Sequence, residues 1–73
     1  MKSRKPSRKK FATRLNRLMI RRGVDVNRLS RLTGIYPSTL HGYTNGNNFP
    51  TYTNLVRLHA ALMCEWGDLF GSD

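Results

Sequence analysis

Residues 25–46 read DVNRLSRLTGIYPSTLHGYTNG, and the fold turns on this stretch. Asp25 is a good helix N-cap, because its carboxylate accepts a hydrogen bond from a backbone N–H of the first turn. Leu29, Leu32 and Thr33 fall on the inward side of a short helix that Gly34 ends. Ile35 follows as a buried plug. Tyr36 stands near the next cap. Pro37 takes the first helical position, where its missing N–H costs nothing. Leu40 and Tyr43 form the inward pair of this second helix, which Asn45-Gly46 terminates. A helix-turn-helix needs a small residue where its two helices pack, a glycine in the turn and an apolar residue just after it. Ser30, Gly34 and Ile35 supply the three.

The flanks extend the pattern. Phe11, Leu15 and Leu18 recur at i, i+4 and i+7, which predicts a helix from about Arg8 to Arg22, with Ser7 as a candidate cap. Arg14, Arg17, Arg21 and Arg22 occupy its remaining surface and last turn. Gly23 ends it in the left-handed conformation, with Val24 as the hydrophobic closure. Downstream, Asn47 to Pro50 is a loop. Thr51 can cap a fourth helix with Leu55, Leu58 and Leu62 on one face, and His59 beside that stripe is a half-buried structural histidine. A last short helix covers Trp66 to Phe70. No run alternates as a strand would. The expected fold is all-α, a compact five-helix domain whose helices 2 and 3 are the helix-turn-helix.

Charge is the strongest compositional signal. The chain has 73 residues, 13 Lys and Arg, and 4 Asp and Glu. All the bases lie in residues 1–57 beside the single acid Asp25, whereas Glu65, Asp68 and Asp73 follow with no base. Such a field attracts a polyanion and lets protein replace condensed counterions. Nucleic acid is the first candidate and an acidic membrane surface the second. Six of the first ten residues are basic, and residues 1–10 carry little apolar surface to bury, so they read as a disordered basic arm before a domain at 11–73. A domain this small buries only roughly 60% of its unfolded surface, so a partner chain would help it. Cys64 is the only cysteine, which excludes an intrachain disulfide and suits a reducing cytoplasm. No apolar run approaches the roughly 20 residues of a membrane span.

Taken together, Phe11 to Phe70 resembles the XRE or Cro/CI family of phage and bacterial repressors. Leu29-Ser30 is similar to the family's Leu-Ala, Gly34-Ile35 to its Gly-Val, and Asn45-Gly46 to its closing Asn-Gly. Pro50 matches the proline before helix 4. Leu55, Leu58 and Leu62 fit that helix, and Leu69-Phe70 fits the final turn. The chain departs from the family at Met19 and Thr44, where an Arg–Glu pair is common. It also has Thr33 in place of an aliphatic residue, Val26 in place of a Gln that touches phosphate, and Pro37 and Gly42 at positions often given to base readers.

The resemblance implies that helix 3 enters the major groove with its N-terminal residues toward base edges. With Leu40 and Tyr43 inward, Pro37, Ser38, His41, Gly42 and Asn45 are expected to face out. Tyr36, Ser38 and His41 are the candidates for base-edge contact. Tyr36 and Pro37 offer apolar surface to a thymine methyl, and Gly42 either lets the backbone approach closely or is a tolerated helix defect. Asn27 and Arg28 at the start of helix 2, and Asn45 and Asn47 after helix 3, are candidates for phosphate contact. So are Lys2, Arg4, Lys5, Arg8, Lys9 and Lys10 of the arm. Trp66, Leu69 and Phe70 hold more apolar surface than a terminal helix leaves bare. Part closes the core, and part is a candidate two-fold interface that would set two recognition helices about 34 Å apart.

These expectations describe a cytoplasmic, nucleoid-associated regulator of phage or bacterial origin that binds double-stranded DNA as a homodimer, with a repressor the leading form. Two other classes stay open. One is a basic architectural binder of low sequence preference. The other is a protein-interaction module such as an antitoxin. An enzyme is not expected, because no nucleophile–base pair, paired carboxylates or phosphate loop is present. No cofactor or small-molecule ligand is expected, and His41, His59 and Cys64 lack metal-ligand spacing.

Overall fold

The computed structural model describes residues 8–70. They form α1 (Arg8–Arg22), α2 (Val26–Thr33), α3 (Pro37–Thr44), α4 (Tyr52–Leu62) and α5 (Trp66–Phe70), with no strand among them. The candidate cap Ser7 and the arm residues Lys2, Arg4 and Lys5 lie outside the described residues, as does the side chain of Phe70. Arg8, Lys9 and Lys10, grouped with the arm by charge, are the first turn of α1, which spans Arg8–Arg22 as its apolar spacing predicts. That turn is held against the loop after α3. The Arg8 guanidinium donates to the Asn47 carbonyl at 3.4 Å, and Gly46 packs on Lys9.

The helix ends follow residue chemistry. At the end of α1, Gly23 has φ 67°. Its N–H donates to the Ile20 carbonyl and that of Val24 to the Met19 carbonyl, the paired bonds that satisfy a helix's last acceptors. The Asp25 carboxylate accepts the Arg28 N–H at 2.8 Å and caps α2. The Thr51 hydroxyl accepts the Asn54 N–H and caps α4. Before α5, the Asp68 carboxylate reaches back to accept the Glu65 N–H at 3.1 Å, half of a capping box.

The turn between α2 and α3 is closed by side chains as well as by its glycine. Gly34 adopts φ 76°, and its N–H donates to the Ser30 carbonyl. The Ser30 hydroxyl donates to the Ile35 carbonyl at 2.6 Å. The buried Thr33 hydroxyl donates to the Leu29 carbonyl and accepts the Ile35 N–H at 3.1 Å. Both backbone groups of the buried Ile35 are therefore satisfied, and the threonine that departs from the family's aliphatic preference supplies one of the two bonds.

Phe11, Leu15, Leu18, Met19, Leu29, Ile35, Leu40, Tyr43, Leu55, Leu58, Leu62 and Leu69 form one buried core. α1 packs on α3 and α5, and α2 on α3 and α4. Polar ties join the same elements. The Asn16 carboxamide donates to the Thr44 carbonyl at 3.1 Å and links α1 to α3. The Asn54 carboxamide donates to the Tyr43 hydroxyl at 2.9 Å and links α3 to α4. Leu32, expected inward, is 53% exposed. Leu29 and Thr33, one turn apart, already fill the buried side of α2, which leaves Leu32 on its flank.

Candidate nucleic-acid interface

The short turn at Gly34 fixes α3 so that one side meets the core and the other meets solvent. Leu40 and Tyr43 are buried in the core. Pro37, Ser38 and His41 are exposed, and the Tyr36 ring at the N-cap is 78% exposed. Tyr36 gives α3 no side-chain cap, unlike Asp25 on α2 and Thr51 on α4. A hydroxyl, an imidazole, a phenol ring and a proline face thus stand on the outer side of one rigid two-turn helix. This set can donate or accept hydrogen bonds and offer apolar contact. Asn27 and Arg28, in the first turn of α2, are exposed as well, as are Asn45 and Asn47 after α3.

Gly42 is a correction. It was expected on the outward face, but it is buried. The chain after α3 folds back on it, and the Asn48 carboxamide covers the place of a β-carbon. Its carbonyl accepts the N–H groups of Asn47 at 2.9 Å and Asn48 at 3.1 Å. Close approach does explain this glycine, but the approaching group is the protein's own loop. The same fold-back seats Gly46 and Asn47 beside the start of α1.

The comparisons with known proteins agree with this geometry. Residues 14–72 match the family profile of the Cro/C1-type HTH DNA-binding domain. The chain belongs to this family. A similar solved structure is that of the restriction-modification controller protein C.AhdI from Aeromonas hydrophila. It is 30% identical, with a TM-score of 0.81 over 86% of this chain and 96% of that one. No curated protein sequence matches the chain. The five-helix fold is thus that of a Cro/C1-type domain, and the chain is a DNA-binding transcription regulator.

This Cro/C1-type domain carries a second exposed surface, at α4 and α5. Leu69 is a further correction: it is fully buried in the core and is not available to a second chain. Trp66 remains 41% exposed and stacks on the half-buried His59, with ring centroids 3.9 Å apart and planes within 9°. Tyr52, Val56 and Met63 are also exposed. At helical spacing they run with His59 along one side of α4 toward Trp66. Composition pointed only to the terminal helix. The i, i+4 pair Tyr52 and Val56 was the available signal for α4.

Arg22 is another residue whose part the sequence did not disclose. Its guanidinium donates to the carbonyls of Leu62 at 2.7 Å and Met63 at 2.6 Å, closing the end of α4 from α1. Met63 there takes the left-handed conformation, φ 51°, without being glycine. Partial burial, aided by the Asp68 carboxylate, pushes the Cys64 thiol above its usual range and keeps it protonated. Among the described residues, no group of three His, Cys, Asp or Glu is placed to hold a metal ion, and no helix is long and apolar enough to cross a membrane.

Proposed function

We propose that this chain is a sequence-specific regulator that binds double-stranded DNA as a homodimer and acts as a repressor by occupying its operator. In this reading α3 lies in the major groove. Ser38 and His41 reach base edges, while Tyr36 and Pro37 pack on thymine methyls. Asn27, Arg28, Asn45, Asn47, Arg8, Lys9 and Lys10 hold the phosphates, joined by Lys2, Arg4 and Lys5. One observation carries the reading. The outer side of α3 leaves Tyr36, Pro37, Ser38 and His41 bare while its inner side is committed to the core. The likeness to a restriction-modification controller protein supports a role in gene control.

The dimer contact is Trp66 together with Tyr52, Val56 and Met63. Tyr52, Val56, Met63 and Trp66 support that choice by standing exposed on one side of α4 and α5, at the end of the domain where the acids Glu65 and Asp68 offset the bases Arg22 and Arg57.

Selection of binding sites from random duplex DNA at about 150 mM salt tests the reading, because non-specific binding is weak there. The expected product is a palindrome with half-sites about ten base pairs apart. Binding without enrichment would identify a low-specificity architectural protein. Loss of all DNA binding, with tight capture of another protein, would identify an interaction module.

A further inference from the structure

The bases of α1 divide by the side of the helix on which they stand. The helix carries seven of them and no acid. Arg8 and Lys9 meet the loop after α3, and further along Asn16 meets the Thr44 carbonyl, so this flank of α1 adjoins the recognition helix. Arg22 turns to the end of α4. Arg14, Arg17 and Arg21 belong to neither group. At i, i+3 and i+7 they form one row, about 10 Å long. At 3.6 residues per turn each stands roughly 100–160° round the axis from Asn16, and so away from the flank that adjoins α3. Arg17 and Arg21 are exposed.

The row weakens the helix that bears it. Lys10 repels Arg14, Arg14 repels Arg17 and Arg17 repels Arg21, each pair at i, i+3 or i, i+4. A solvated face needs no such run, because interspersed charges of both signs keep a surface soluble. Among the described residues the acids stand off α1. Asp25 caps α2, and Glu65 and Asp68 form the turn that opens α5. The operator reading takes Arg8, Lys9 and Lys10 from α1 and does not use the row.

We infer that Arg14, Arg17 and Arg21 form a second phosphate-binding surface, which takes a duplex segment other than the one under α3 and so lets the protein bridge two segments of DNA. Charge complementarity names the occupant. A line of like charges suits a polymer of regularly spaced phosphates. A protein partner would ask for an apolar centre, and Ile20 is the one large apolar side chain that α1 exposes. The inference goes beyond the α3 reading and rests on it only for the first segment.

Capture of a labelled random duplex by protein already saturated with an immobilised operator duplex tests the bridge, at about 50 mM salt so that few contacts suffice. The wild type should capture the second duplex. Changing Arg17→Ala and Arg21→Ala together should lower capture about tenfold and reduce its salt slope by about 1.8, for two released contacts. Affinity for a short operator duplex should change little. The double variant should melt no lower than wild type, since alanine favours the helix and the repulsion is relieved. Removing the same charge elsewhere, by Arg31→Ala with Arg57→Ala, should leave capture intact. No capture by the wild type would overturn the proposal, as would full capture by the Arg17 and Arg21 variant. Equal loss in both double variants would reduce the effect to net charge and overturn it too. So would an equal loss on the operator, which would return the two arginines to the α3 interface. If no operator can be selected, two random duplexes with different labels take its place. Joint capture that depends on Arg17 and Arg21 then keeps the second surface while the α3 reading falls.

Discussion

The surface at α3 and the surface at α4–α5 both expose aromatic rings, and they differ in the charges around them. Tyr36 and Tyr52 are each 78% exposed. Tyr36 stands on the arginine-rich part of the chain, whose only acid, Asp25, is occupied in capping α2. Trp66 stands in a segment with acids and no base of its own, where the Arg22 guanidinium, reaching the Leu62 and Met63 carbonyls, is balanced by Glu65 and Asp68. Exposed apolar surface alone does not name a partner. A basic setting suits the first to a polyanion, and a balance of acids and bases suits the second to the second copy proposed above.

The largest expected effect separates residues that the sequence grouped together. Leu69→Ala removes a fully buried side chain and should destabilise the domain by about 2–5 kcal/mol, leaving so small a fold mostly open in urea titration. Trp66→Ala, three residues away, should leave the monomer folded. It should instead weaken self-association by about 2 kcal/mol, read by sedimentation. Equal loss of folding in both would merge the dimer face with the core.

On the other surface, Ser38→Ala and His41→Ala should each change operator preference by about 1–3 kcal/mol and leave self-association untouched. Deleting residues 2–7 removes Lys2, Arg4 and Lys5 and should weaken binding to every sequence. The slope of log affinity against log salt should drop by about 2.7 for three released contacts. Smallest is Thr51→Ala, which should cost about 1 kcal/mol of stability in thermal melts and shift neither surface, since its hydroxyl caps α4. Cys64, with its thiol held protonated, should alkylate more slowly than a free thiol at pH 8.

Most of the helix plan was legible because it is written in local chemistry. Asp25, Gly34, Pro37, Thr51 and Gly23 each act within one turn of where they stand, and they set the end of α1, both ends of α2 and the starts of α3 and α4. What escaped depends on groups distant in sequence. Gly42 looks outward on a helical wheel until Asn48 folds over it. Leu32 looks inward until Leu29 and Thr33 take the contact, since two turns of helix define a face only loosely. Met63 ends α4 without a glycine because Arg22 of α1 holds its carbonyl. At the candidate interface, residue type could nominate Ser38 and His41, and their exposure agrees with the nomination. The line of Tyr52, Val56 and Met63 emerged only once α4 had its orientation.

Amide chemical shifts followed while a selected duplex is titrated into the protein give the most direct comparison of the two surfaces. The predicted result is movement at Ser38, His41, Asn27, Arg28, Asn45 and Asn47, with Tyr52, Val56 and Met63 unmoved once the dimer is saturated. Movement centred on α4 and α5, with α3 silent, would contradict the assignment of α3 to DNA.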